Sequence, residues 1–202
     1  MRSDILVQWR GSDLARLLDE DHSRLQASWK SLLERWDWQV VAEASFNRYG
    51  ERGRMDLVAW HSRLRILVVV EIKTVIADVQ GLLGPLDVKV RVAPAVAQER
   101  GWGRPDHVVP CLVVAEAKTN RRRLETLSTL FSQFSLRGRS AISWLRRPDG
   151  AGAPGGLMIF SDLSPAGHSS ANRVGRQRIR QRAVALSVAT DPEAAKRGAR
   201  GG

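Results

Sequence analysis

One cysteine in 202 residues, Cys111, excludes an intramolecular disulfide. It lies in the apolar run HVVPCLVVAEA, where a small buried core residue is expected rather than a nucleophile. The four histidines, at 22, 61, 107 and 168, show none of the paired spacing that zinc sites use. No apolar stretch approaches the roughly 18 residues a membrane span needs, and the N-terminus lacks the long apolar core of a secretory signal. A cytoplasmic chain without a membrane partner is the expectation. Acidic residues are the scarcer charge: 21 Asp and Glu face 32 Lys and Arg, for a net charge of +11. That imbalance favours a polyanionic partner, with nucleic acid ahead of an acidic membrane surface and a nucleoid-associated location.

Hydrophobic residues make up 43% of the chain, enough for a core, and the length fits one domain with some extra. Over residues 12–36, Leu14, Leu17, Leu18, Leu25, Trp29, Leu32, Leu33 and Trp36 recur at three- and four-residue steps. This predicts an amphipathic helix, in one piece or broken near Asp21, with Ser12 as its N-cap. WQVVAEASF, RMDLVAW and LRILVVVEIK read as three strands joined by the turn NRYGERG and the tight connection HSR, the third apolar enough to be central. Residues 77–100 have mainly helical spacing interrupted by Gly84-Pro85 and Pro94, and DHVVPCLVVAEA is a fourth buried strand. TNRRRLETLSTLFSQF predicts a helix capped by Asn120, with Leu124, Leu127, Leu130, Phe131 and Phe134 inward. SAISWLRR and GLMIF read as short strands around a Gly/Pro-rich loop. The result is an α/β (α+β) domain over residues 12–161, with a mixed central sheet flanked by helices. Residues 162–202 carry eight Lys/Arg against three acids and few large apolar residues. They predict a basic, mostly disordered tail, with a helical stretch around 177–188.

Charged residues inside the third strand need a physical reason. Strand side chains alternate, so Glu71 and Lys73 share one face. Asp56, on the preceding strand of an antiparallel hairpin, is brought towards Glu71 with Lys73 beside both. Two close carboxylates repel and favour a cation. Hard oxygen ligands of this kind suit a magnesium ion that also binds phosphate, and a neighbouring lysine orients water or stabilises developing charge. The same three residues also read as a buried salt bridge, although such a pair seldom gains stability over apolar residues of equal volume.

GRMDLVAW followed by VVVEIKT resembles the signature of the PD-(D/E)XK nuclease superfamily: an aspartate after a Gly-containing turn, a short hairpin, then an apolar strand ending in Glu-x-Lys. Residues 13–160 more narrowly resemble the C-terminal nuclease-like domain of actinobacterial helix-turn-helix regulator proteins. The resemblance implies a restriction-endonuclease-like αβββαβ core and a hydrolase that cuts DNA phosphodiester bonds with Mg2+ (or Mn2+). It implies metal ligation by Asp56, Glu71 and the carbonyl of Ile72, with Lys73 as the catalytic lysine. An upstream acid is also implied, Glu43 first, with Glu20 and Asp21 as rivals. On the crossover helix, Gln80, near Asp78, would contact DNA or assist the metal, unless both are an ordinary polar first turn. A homodimer is a further expectation. Such regulators carry a helix-turn-helix module before the nuclease-like domain, and only about eleven residues precede Ser12, so that module's reading of DNA is expected to be absent or supplied by a helix-turn-helix partner protein. A different class of function stays open: a non-catalytic nucleic-acid-binding or transcription-regulatory module that retains the nuclease fold.

Arg48, Arg52 and Arg54 crowd the loop leading to Asp56, Arg63 and Arg65 flank the hairpin turn, and Arg121, Arg122 and Arg123 begin the last long helix. Arginine clusters beside a metal site are what phosphate backbones require, DNA ahead of RNA. The tryptophans at 29, 36, 38 and 60 read as packing rather than base stacking.

Overall fold

Residues 11–149 and 152–163 are the described part of the structure, a computed structural model. In chain order it runs α1 (Gly11–Glu34), β1 (Gln39–Arg48), β2 (Glu51–His61), β3 (Ile66–Lys73), α2 (Gln80–Glu99), β4 (His107–Ala115), α3 (Lys118–Thr126), a 3-10 turn (Ser128–Phe131), β5 (Leu136–Arg137), α4 (Arg139–Arg146) and β6 (Leu157–Ser161). The strands form one six-stranded sheet in the order β1-β2-β3-β4-β6-β5. β1, β2 and β3 pair antiparallel, while β3, β4, β6 and β5 pair parallel, so the sheet is mixed and the fold α/β.

Alternation in the two central strands separates two core layers. Leu67 and Val69 pack with Leu82, Leu86, Val92, Val96, Phe131 and Phe134 on the face covered by α2. Ile66, Val68, Val70 and Ile72 face the other way, onto Leu25, Trp29 and Leu33 of α1 and Ala141 and Leu145 of α4. Every residue from Ile66 to Ile72 is buried, as a strand covered on both faces requires. The expected hairpins are present. Arg48 pairs with Glu51 across a two-residue turn in which Tyr49 (φ 54°) and Gly50 (φ 79°) both take the left-handed conformation, the geometry that matches strand twist. Trp29, Trp38 and Trp60 are buried and Trp36 is packed against the core. Cys111 is fully buried, which pushes its thiol up to about 12.

Several elements differ from the sequence reading. SAISWLRR is α4, not a strand: Ala141, Trp144 and Leu145 are its buried residues, a helical i, i+3, i+4 set. α1 is continuous past Asp21, and Leu14 (51% exposed) and Leu17 (39%) stand in solvent. The Ser12 side chain lies outside the described residues. α2 runs through both Pro85 and Pro94. Each proline removes one helical hydrogen bond and crowds a carbonyl, at about 3 kcal/mol, and the stripe that α2 buries on the sheet offsets this. Asn120 sits inside α3 rather than capping it, and Leu130 is 49% exposed because the helix gives way to the 3-10 turn. The tail beyond residue 163, including the helical stretch expected at 177–188, lies outside the described residues. No helix among the described residues is long and apolar enough to cross a membrane.

Candidate functional site

The β2–β3 ladder ends at Leu57 paired with Val70, so the antiparallel register carries Asp56 and Glu71 to facing positions one step on. There the Asp56 carboxylate replaces a ladder partner: Oδ2 accepts the Ile72 N–H at 2.7 Å. On the neighbouring side, Ala42 pairs with Leu57 and Ala44 with Met55, leaving Glu43 opposite Asp56 but out of the ladder. Glu43 adopts φ 52°, which breaks the alternation of β1 at that point.

Glu71 is 3% exposed, and each of its oxygens carries an ammonium group. Lys73 Nζ lies 2.8 Å from Oε1, and Lys89 Nζ lies 2.5 Å from Oε2. Lys89 comes from α2, with a side chain only 12% exposed. α1 contributes from the opposite direction. Gln26 Nε2 donates to the Asp56 carbonyl at 2.9 Å, and His22 Nε2 stands 3.9 Å from Asp56 Oδ2. The sequence reading missed Lys89, Gln26 and His22. A signal existed for Lys89: it interrupts the stripe running from Leu82 and Leu86 to Ala93 and Ala97, where an apolar residue belongs. His22 and Gln26 flank Leu25 on a helix surface and carry no comparable mark.

Burial first, and the Glu71 charge second, hold the Asp56 carboxyl above its ordinary value of 3.8, while the Ile72 N–H, Lys89 and His22 pull it down. The site therefore combines two mutually repelling carboxylates with two ammonium groups. Among the described residues, no three His, Cys, Asp or Glu side chains converge to hold an ion by themselves. A hard divalent ion that completes its shell with water and phosphate needs only one or two carboxylates, and Asp56 and Glu71 fit that requirement.

A pocket of about 210 Å³ opens beside Lys73, lined also by Val75, Ile76, Asp78, Gly81 and Leu82. Asn120 fixes the loop over it. Its Nδ2 donates to the carbonyls of Thr74 and Ala115, both at 2.9 Å, and its Oδ1 accepts the Ile76 N–H at 3.1 Å. Asp78 caps α2 by accepting the N–H groups of Gln80 and Gly81 at 3.0 Å, and Gln80 itself is exposed.

The remaining predicted residues are spread around this centre. Glu43 pairs at 2.8 Å with Arg54 and is 55% exposed. Its rivals on α1, Glu20 and Asp21, pair with Arg16 and Arg24. Arg48 pairs with Glu99, and Arg65 binds Asp106 and the Arg104 carbonyl. Arg121 grips Glu116 and lies over the Phe160 ring at 4.3 Å, while Arg123 donates to the Ile76 carbonyl. Arg52 and Arg122 are exposed.

Compared with known proteins, the chain matches no protein-family model and no curated protein.

Proposed function

We propose that the chain is a metal-dependent nuclease that hydrolyses DNA phosphodiester bonds at Asp56, Glu71 and Lys73, on a restriction-endonuclease-like core and in the cytoplasm. One observation carries the reading: two carboxylates of low exposure meet where β2 and β3 part, close enough that Glu71 raises Asp56, with Lys73 ion-paired to the second acid. Such an arrangement is costly as pure structure and is relieved by a divalent cation. Asp56, Glu71 and the Ile72 carbonyl would hold Mg2+ or Mn2+, which on binding polarises the scissile phosphate and lowers the pKa of its bound water. Lys73 Nζ positions the attacking water or stabilises the charge that develops on phosphate oxygens. Arg52 and Arg122, exposed on the surface, take backbone phosphates, and Gln80 presents a polar side chain at the start of α2.

A second reading has its own support. Both Glu71 oxygens are already neutralised by lysines, and Glu43 is engaged by Arg54 on the exposed side. A module that binds nucleic acid without cutting it would tolerate both features. Incubation with supercoiled, linear, single-stranded and branched DNA, with and without Mg2+ or Mn2+, separates the two. Metal-dependent cleavage lost in Glu71→Ala and Lys73→Ala supports the nuclease; binding without cleavage of any substrate supports the module.

A further inference from the structure

Lys89 is the feature of the site that the proposed chemistry does not use. It stands in the buried stripe of α2, its side chain is 12% exposed, and its Nζ lies 2.5 Å from Glu71 Oε2. Lys73 already satisfies Oε1, so Glu71 does not need a second ammonium group for its own neutralisation. A lysine drawn so far out of water needs a strong partner, and the partner it has is an oxygen that a metal would need. Asp56 is the other carboxylate of the cluster, and its charge is eased by Lys89 as well as by His22.

We infer that Lys89 is a tethered cation that occupies the place of the divalent metal at Glu71 Oε2, so that metal binds only by displacing it. The inference rests on the reading of Asp56 and Glu71 as metal ligands. The amine keeps the paired carboxylates compensated when no metal is bound, and it sets the metal concentration at which the site fills. α2 then links metal occupancy to its own packing, because displacement must move the Lys89 stem within the face that α2 turns to the sheet.

Mn2+ titration of the full chain without nucleic acid, with free ion read by electron paramagnetic resonance, tests this. Wild type should bind weakly and Glu71→Gln should lose binding. Lys89→Met, which keeps the stem and removes the competitor, should bind about tenfold tighter, the effect of deleting one opposing charge-assisted hydrogen bond. Lys89→Arg, which restores a cation, should return to wild-type affinity or weaker. If Lys89→Met does not fold, Lys89→Gln carries the same expectation. Failure of both neutral variants to fold overturns the inference, because Lys89 is then a structural counter-ion that no metal replaces. Binding lost in Glu71→Gln but unchanged or weaker in Lys89→Met overturns the inference alone. No Mn2+ binding by any variant overturns the metal-site reading and this inference with it.

Discussion

Asp56 shows how one side chain serves backbone and charge together. Its carboxylate accepts the Ile72 N–H at 2.7 Å, yet burial and Glu71 raise its pKa above 3.8. An acid whose folded pKa is raised adds no penalty while it is protonated in both states. The penalty sets in as pH rises through 3.8, where the unfolded chain ionises first, and is complete above the folded value. Asp56→Asn retains an acceptor for Ile72 and cannot ionise, so the metal-free variant should be the more stable protein at neutral pH. Urea unfolding from acid to neutral pH should show the gap between variant and wild type widening through the carboxylate range; a gap independent of pH would refute the assignment. Asn120 presents the opposite case, a buried amide satisfied on both sides. Asn120→Ala orphans the carbonyls of Thr74 and Ala115 and the Ile76 N–H. Losses of this kind cost about 1–3 kcal/mol for each buried group, so roughly 3 kcal/mol in all is expected after partial rehydration. Chemical denaturation measures it, and a cost under about 1 kcal/mol would mean the loop relaxes without its clamp.

At the scale of elements, strands were more legible than helices. β3 and β4 are apolar throughout and central, and the hairpins on either side of β2 follow from a Tyr-Gly turn and a short polar connection. The facing of Asp56 and Glu71 was legible for the same reason, since pleat and register are both fixed by counting. Lys89 was not, because its role depends on how α2 crosses the sheet, which a 3.6-residue period does not specify. Periodicity alone also misleads: α1 carries Leu14 and Leu17 on the same spacing as Leu25, but its buried residues are Leu25, Trp29 and Leu33, and Leu14 and Leu17 are 51% and 39% exposed. The α4 sequence reads equally as a strand, because eight residues are too few to separate the two periods. The facing of α1 is testable by substitution. Leu25→Ala should cost about 2–5 kcal/mol, as for a filled core site, whereas Leu14→Glu and Leu17→Glu should each stay within about 0.5 kcal/mol. Thermal melts decide it, and a large loss from either glutamate would show that the first turns of α1 are covered in solution.

For the whole molecule the question is where the charge of +11 is available. Residues 164–202 hold eight basic and two acidic residues, +6 of that total. Within the described part, Arg48, Arg54, Arg65, Arg91 and Arg121 each pair with a carboxylate, so their fields are largely cancelled locally. Counterion release counts charges placed on phosphates, and a paired arginine contributes only if its partner lets go. Binding to labelled duplex DNA, measured by fluorescence anisotropy across about 50–200 mM salt, should therefore fall steeply with a slope carried mainly by the tail sequence. Removing residues 164–202 should flatten it most. Arg52→Ala should reduce the slope by about 1, as expected for a single phosphate contact, and Arg121→Ala, held by Glu116 and Phe160, should reduce it less. If Arg121→Ala and Arg52→Ala prove equal and loss of the tail changes nothing, the surface ion pairs open on binding, and the face bearing Glu116 and Phe160 would be the nucleic-acid surface instead.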